Sequence, residues 1–88
     1  MHSDDLMHCR VCGLELPEPP WGFDGNTPDY DYCPCCGVEF GYQDATPAGA
    51  RRFRAKWLVN GAQWASSDER PGRWDRSVQL EDVPAAFR

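Results

Sequence analysis

Four cysteines in two short clusters are the residues of this chain whose types and spacing are best suited to chemistry. Cys9 and Cys12 enclose two residues, as do Cys33 and Cys36, and a glycine follows the second cysteine of each pair. A turn of this length directs two thiolates toward one point, and the glycine allows the backbone to fold tightly behind them, with positive φ. Two such turns supply the four soft ligands of a tetrahedral zinc site. The spacing therefore predicts a metal ion bound by Cys9, Cys12, Cys33 and Cys36.

A fifth cysteine, Cys35, lies inside the second cluster. Pairing Cys33 with Cys36 reproduces the spacing of the first cluster, whereas Cys35 encloses one residue with Cys33 and none with Cys36. The side chain of Cys35 is therefore expected to point away from the metal. Neighbouring thiolates would raise the pKa of Cys35, which favours a spare or buried cysteine over a reactive one.

The ligand set limits both the metal and the chemistry. Four thiolates suit zinc and iron alike; we expect zinc (Zn), because closed four-thiolate sites are usually structural zinc sites, with iron (Fe) as the alternative. Such a site leaves no open coordination position for a substrate or a water molecule. The histidines, His2 and His8, form no recognisable nucleophile–base–acid set, and no phosphate-binding glycine loop can be read. We expect no catalytic residues, no further cofactor-binding residues and no enzymatic activity.

The length of 88 residues indicates one domain, 1–88, near the size at which a core needs a staple such as a metal. The odd number of cysteines argues against a disulfide framework, and the polar, acidic start of the chain lacks the features of a secretion signal. No stretch approaches the roughly 20 apolar residues of a membrane span. We therefore expect a cytoplasmic protein with no membrane contact, a setting in which paired cysteines usually bind metal.

The net charge of −5 is distributed unevenly along the chain. Residues 1–45 contain nine acidic side chains and one basic side chain, Arg10, whereas residues 46–88 contain eight basic and five acidic ones. Zinc modules that bind nucleic acid present a basic face, so the acidic cysteine-rich half disfavours nucleic acid as a partner. Two halves of opposite charge suit docking to a protein, because charge sets orientation and encounter rate.

Polar and aromatic residues alternate on both sides of the second cysteine cluster, in Asp29-Tyr30-Asp31-Tyr32 and Val38-Glu39-Phe40-Gly41-Tyr42. This period is typical of half-buried strands. Residues 17–28 are rich in proline and glycine and are expected to form a loop. The expected fold is small α+β, in which residues 7–45 form a metal-binding module of short antiparallel hairpins with the cysteines at their turns.

Residues 46–88 are expected to form a helical part packed on that module, beginning with an amphipathic helix. Thr46 is a good N-cap, Pro47 suits the first helical position, and Gly61 is expected to end the helix in a left-handed conformation. Apolar residues follow the three–four spacing of a helix at Ala50, Phe53, Trp57 and Leu58. The basic residues between them are expected to be solvated: Arg51, Arg52, Arg54 and Lys56.

A short C-terminal helix is expected roughly from Asp75 to Val83, before Pro84. Most of the eleven aromatic side chains are expected in the core, because so small a core depends on its largest side chains. Trp21, in the proline-rich loop, is the exception: it could cap the metal site or stand exposed.

The run from Cys33 to Tyr42, CPCCGVEFGY, with Cys9-x-x-Cys12-Gly13 upstream and Pro20-Trp21-Gly22 between them, resembles the cysteine-rich CPCC family of small bacterial proteins. The similarity continues through the arginine-rich helix to Trp74. The resemblance implies a compact bacterial metal-binding protein of a family with no established activity. A more distant likeness is to rubredoxin, in which two such cysteine turns hold one iron, and it implies that residues 7–45 form a zinc-ribbon or rubredoxin-like module. The 20 residues between Cys12 and Cys33 and the long C-terminal half depart from the rubredoxin pattern.

The sequence thus favours a small cytoplasmic zinc-binding protein with a structural four-cysteine site, acting as a protein–protein interaction module. The alternative is a rubredoxin-like iron protein that transfers electrons. Neither the partner nor the oligomeric state follows from the residues.

Overall fold

The protein is described here by a computed structural model, which covers residues 3–88. Within that range the regular elements are two α-helices, α1 (Pro47–Val59) and α2 (Arg76–Leu80), and three 3₁₀ turns at Ser3–Met7, Ser67–Glu69 and Ala85–Phe87. No strand or sheet forms among these residues, so the expected α+β fold with a zinc-ribbon or rubredoxin-like module of hairpins is wrong. Neither helix has the length and apolar character needed to cross a membrane.

The segments expected to form hairpins contain isolated bridges instead. His8 pairs with Glu15 and Tyr32 with Glu39, so one antiparallel bridge encloses each cysteine turn. Next to the second bridge the extended backbone ends at Tyr30, two residues before Tyr32, because Tyr30 has φ of 59°. The strands predicted from the period-two pattern are therefore wrong: turn and loop geometry ends each ladder after a single bridge.

Helix α1 forms as its sequence predicts. Thr46 has extended backbone, its side chain accepts a hydrogen bond from the Gly49 amide, and Pro47 occupies the first turn. Gly61, with φ of 92°, follows the C-cap residue Asn60 and turns the chain out of the helix. The buried face carries Ala50 and Trp57, while Phe53 and Leu58 are partly buried against the core.

Helix α2 is shorter than expected. Asp75 is its N-cap, and its carboxylate accepts a hydrogen bond from the Val78 amide. The helix ends at Leu80, before the expected boundary at Val83, although Val83 itself is buried. The end of α2 and the residues after it pack so closely on the first cysteine turn that a side chain at Gly13 would overlap the Gln79 carbonyl oxygen.

The core surrounds the cysteines rather than a sheet. All five cysteines are buried, together with Val11, Val38 and Phe40 from the turns that carry them. Trp57 and Trp64 close the core from the helical half, and the ring of Trp74 packs 5.5 Å from that of Trp64 and 6.2 Å from that of Trp57, measured between centroids.

The expectation that most aromatic residues are buried is only partly met. Several rings on the acidic half are exposed: Phe23, Tyr30, Tyr32 and Tyr42. Trp21 is half-buried, and its indole N–H donates a hydrogen bond of 2.7 Å to the buried carboxylate of Asp44. Trp21 is therefore anchored in the proline-rich loop and not fully exposed.

Candidate metal centre

The structure brings Cys9, Cys12, Cys33 and Cys36 into one cluster, with all four sulfur atoms within 4.8 Å of one another. Two close contacts join the first cysteine turn to the second: the sulfurs of Cys9 and Cys36 are 3.8 Å apart, and those of Cys12 and Cys33 are 3.6 Å apart. Zinc–sulfur bonds of about 2.3 Å at tetrahedral angles place neighbouring sulfurs about 3.8 Å apart. The four cysteines are thus arranged to hold one metal ion.

Two backbone turns of the same design position these ligands. In the first, the Cys9 amide donates to the Leu14 carbonyl and the Gly13 amide to the Cys9 carbonyl. Twenty-four residues later the same two bonds recur, from Cys33 to Val38 and from Gly37 to Cys33, and all four are 2.9–3.0 Å long. Neither turn depends on the other for its backbone hydrogen bonds, so each presents a preformed pair of thiols.

The glycine after each pair is required by the backbone. Gly13 has φ of 83° and Gly37 has φ of 81°, a left-handed conformation that costs other residues roughly 1–2 kcal/mol. This matches the role that the sequence pattern assigned to them. Their surroundings differ: a Cβ on Gly37 would meet only the Cβ of Ala65, at 3.4 Å.

Backbone from the helical half covers the second turn. The Ala65 amide donates to the Cys35 carbonyl and the Ser66 amide to the Pro34 carbonyl, each at 2.9 Å. The cluster is consequently closed to solvent, with Cys36 8% exposed and the other three ligands fully buried.

Burial and mutual hydrogen bonding perturb the thiols strongly. Burial raises the pKa of Cys12 well above its usual value and also raises the pKa of Cys36. Hydrogen bonds from neighbouring thiols, Cys12 first, lower the pKa of Cys33 instead. A metal ion that binds there must displace the proton of each cysteine that is present as a thiol.

Cys35 is buried, and it is not one of the four cysteines whose sulfur atoms lie within 4.8 Å of one another. Its sulfur accepts a hydrogen bond of 3.4 Å from the side-chain amide of Gln79. The expected rise in its pKa is wrong, because a hydrogen bond with Cys12 lowers the pKa of Cys35, and Gln79 lowers it further.

Two side chains of the helical half contact the cysteine turns, although the sequence pattern predicted neither contact. Gln79 of α2 donates to the Cys12 carbonyl at 3.2 Å as well as to Cys35. Arg54 of α1, expected on a solvated face, is partly buried and donates to backbone carbonyls of the first turn. No motif marks either contact, because they join segments 43 and 67 residues apart.

The other residues that the sequence analysis singled out, the two histidines, Arg10 and Trp21, are not part of the four-cysteine cluster. His8 is half-buried beside the first turn, while His2 lies outside the described residues. Arg10, the basic residue of the acidic half, is stacked between two rings, with its guanidinium carbon 4.0 Å from the centroid of Trp21 and 4.3 Å from that of Phe87. Trp21 therefore packs beside the first cysteine turn through Arg10.

Two proteins of Bacillus subtilis (strain 168) are similar to this chain. The uncharacterized protein YozI is 30% identical over 82 residues, covering 75% of this chain and 68% of YozI. The uncharacterized protein YoaQ is 31% identical over 78 residues, covering 72% of this chain and 66% of YoaQ. No family model matches the chain, so the resemblance to the CPCC family is not confirmed. No solved structure matches it either.

Proposed function

Since the chain belongs to the same family as the uncharacterized protein YozI of Bacillus subtilis, whose name assigns no activity, we propose a function from the cysteine centre itself. The protein is a small zinc-binding protein whose four-cysteine site is structural and whose surface serves protein–protein interaction. The observation that carries this proposal is the cluster of Cys9, Cys12, Cys33 and Cys36, with all sulfurs within 4.8 Å.

The closed geometry supports a structural role over catalysis. Four thiolates complete a tetrahedral shell, and the cluster is buried beneath the helical half of the chain. A metal ion there has no position for a substrate or an activated water molecule. The bound metal would supplement the small core of so short a chain.

The same burial supports zinc over iron. An iron electron carrier also uses four thiolates, so the ligands alone suit both metals. Electron transfer benefits from an exposed edge at the site, whereas here three of the four ligands are fully buried and Cys36 is 8% exposed. The rubredoxin-like alternative therefore takes second place.

The exposed aromatic side chains support an interaction role. Phe23, Tyr30, Tyr32 and Tyr42 are between 62% and 82% exposed, and all belong to the acidic half of the chain. Aromatic residues are enriched in protein interfaces, where they supply large contact areas. An acidic surface with exposed rings favours a protein partner with a basic face and repels the phosphates of nucleic acid.

The test is metal analysis of protein purified from its native host, since overexpression can load the wrong metal. Native mass measurement combined with elemental analysis should give one zinc ion per chain and should retain any stable partner. Stoichiometric iron with reversible one-electron chemistry would establish the electron-transfer alternative. A chain that contains no metal and binds none would refute both functions.

A further inference from the structure

Arg54 differs from the other basic residues of α1 in what its side chain contacts. Arg51 and Arg52 are exposed, whereas Arg54 is partly buried. Its Nη1 donates to the carbonyl oxygens of Val11, at 3.0 Å, and Arg10, at 3.4 Å. Its Nη2 donates to the Phe87 carbonyl at 2.8 Å. The guanidinium thus joins the first cysteine turn to the C-terminal segment.

The contact with the Arg10 carbonyl is linked to the sulfur of Cys9 through a single peptide group. The Arg10 carbonyl and the Val11 amide belong to the same peptide group, and the Val11 N–H points to the sulfur of Cys9, with a nitrogen–sulfur distance of 3.4 Å. A cation at the carbonyl end polarises this peptide group and strengthens the N–H as a donor. The charge of Arg54 is therefore transmitted through one peptide unit to a metal-ligating sulfur.

The second contribution is electrostatic. Four thiolates around a divalent ion leave two uncompensated negative charges, which are costly to bury. Burial lowers the pKa of Arg54 and Arg51 lowers it further, whereas Cys9, Cys12 and Cys36 raise it. An arginine nevertheless stays protonated in proteins. Its guanidinium donates to the carbonyl groups of both residues between Cys9 and Cys12, a position from which its positive charge offsets part of the negative charge of the thiolates.

We propose that Arg54 is a positioning residue of the metal centre, which orients the peptide groups of the first cysteine turn and offsets the charge of the bound thiolates. This inference rests on the proposed function, because it requires that the four cysteines bind a metal. It also couples the metal to the C-terminal segment, since the same guanidinium holds the Phe87 carbonyl.

The test compares zinc affinity in the full chain by competition with a chelator. Arg54→Gln should weaken zinc binding about 10- to 100-fold, the usual cost of losing a group that supports metal ligands. Arg54→Lys keeps the charge but not the paired donors, so its affinity should be intermediate. The matched control is Arg51→Gln on the same helix, which loses a bond to the Arg88 carbonyl and should leave affinity within about twofold, as expected of an exposed site.

A spectroscopic readout separates this role from a purely structural one. In cobalt-loaded protein, Arg54→Gln should shift the thiolate-to-metal charge-transfer band, because the N–H donor to Cys9 weakens, whereas Arg51→Gln should not. Unchanged affinity and spectrum in Arg54→Gln, or equal losses in the Arg51 control, would overturn the inference while leaving the proposed function intact. If Arg54→Gln does not fold, Arg54→Lys carries the test, and wild-type affinity and spectrum there would also overturn it. Failure of the wild-type chain to bind zinc or cobalt would instead refute the proposed function, and this inference with it.

Discussion

At the residue scale, the five cysteines divide into four that share a centre and one that does not. The four have matching turns and mutually close sulfurs, whereas the sulfur of Cys35 is bound to the Gln79 amide. Both groups are buried, so exposure does not distinguish them. What distinguishes them is that the four sulfurs all lie within 4.8 Å of one another, a group that does not include Cys35.

Single Cys→Ser variants of all five positions should therefore fall into two classes. Loss of Cys9, Cys12, Cys33 or Cys36 removes a ligand, and these variants should lose most of their metal after dialysis against a weak chelator. Cys35→Ser should retain one metal ion per chain, because the serine replaces no ligand. Elemental analysis measures the content, and metal loss in Cys35→Ser with retention in Cys33→Ser or Cys36→Ser would contradict the assignment.

The cluster of four cysteines could be predicted from the sequence because each pair lies within one turn, where spacing determines geometry. Arg54 and Gln79 could not, because their contacts with residues 11 and 12 depend on how distant segments pack. A basic residue on a helix is more often solvated, and the helical pattern does not mark the one arginine that faces the cysteines.

At the element scale, the two cysteine turns have the same hydrogen bonds but different neighbours. Gly13 lies against the backbone of residues 79–83, whereas Gly37 has only the Ala65 side chain nearby. Substitutions at Gly13 and Gly37 can therefore distinguish the cost of backbone strain, which both share, from the cost of steric overlap, which is specific to Gly13.

We expect Gly37→Ala to destabilise the metal-bound protein by roughly 1–2 kcal/mol, the cost of a side chain in the left-handed conformation. Gly13→Ala carries the same strain and also overlaps the Gln79 carbonyl oxygen, so it should cost a further 1–3 kcal/mol or so. Denaturant unfolding of the zinc-saturated variants gives both values. Equal destabilisation would mean that the C-terminal segment does not pack on the first turn.

Helix α1 and its boundaries were predictable because the cap, the proline and the terminal glycine act locally. The hairpins were not, although the alternating pattern was present. A strand needs a continuing ladder, and here Tyr30 and Gly41 adopt positive φ two residues beyond the second bridge on either side. Sequence alternation alone does not report where such residues leave the extended region.

At the scale of the whole molecule, the cysteine-rich and helical parts are expected to unfold together. Hydrogen bonds from Arg54, Gln79, Ala65 and Ser66 all reach the cysteine turns from the helical half. That residues 7–45 and 46–88 form one domain remains a prediction, and Trp57, which is 7% exposed, is the residue with which to test it.

Trp57→Ala should lower the free energy of unfolding by about 3–5 kcal/mol, because a large buried ring and its hydrogen bond to the Gln63 carbonyl are lost. Val59→Ala on the same helix is the control: this side chain is 86% exposed and should change stability by less than about 0.5 kcal/mol. Thermal unfolding followed at both halves provides the measurement. Two separate transitions, with the cysteine-rich half unaffected by Trp57→Ala, would show two independent units.

Metal removal should unfold the chain as a whole, with the cysteine-rich half losing its order most completely. Structural zinc contributes about 10–16 kcal/mol in small peptides, which is comparable to the entire stability of an ordinary domain. After chelation, dispersed amide signals of residues 7–42 should collapse, while the 13-residue helix α1 keeps at most partial helicity. Unchanged amide spectra after verified metal removal would contradict a structural role.

The contacts of Trp74 link the tryptophan fluorescence of the protein to its metal centre. Its indole N–H donates to Gln79 at 2.8 Å, and the amide of Gln79 in turn donates to the Cys12 carbonyl and to Cys35. Because Trp74 also packs against two of the other three tryptophans, loss of the metal exposes a cluster of neighbouring fluorophores to water at once. Tryptophan emission should therefore shift to longer wavelength as the metal is released. The metal occupancy of the site can then be followed in real time by the intrinsic fluorescence of the unlabelled protein.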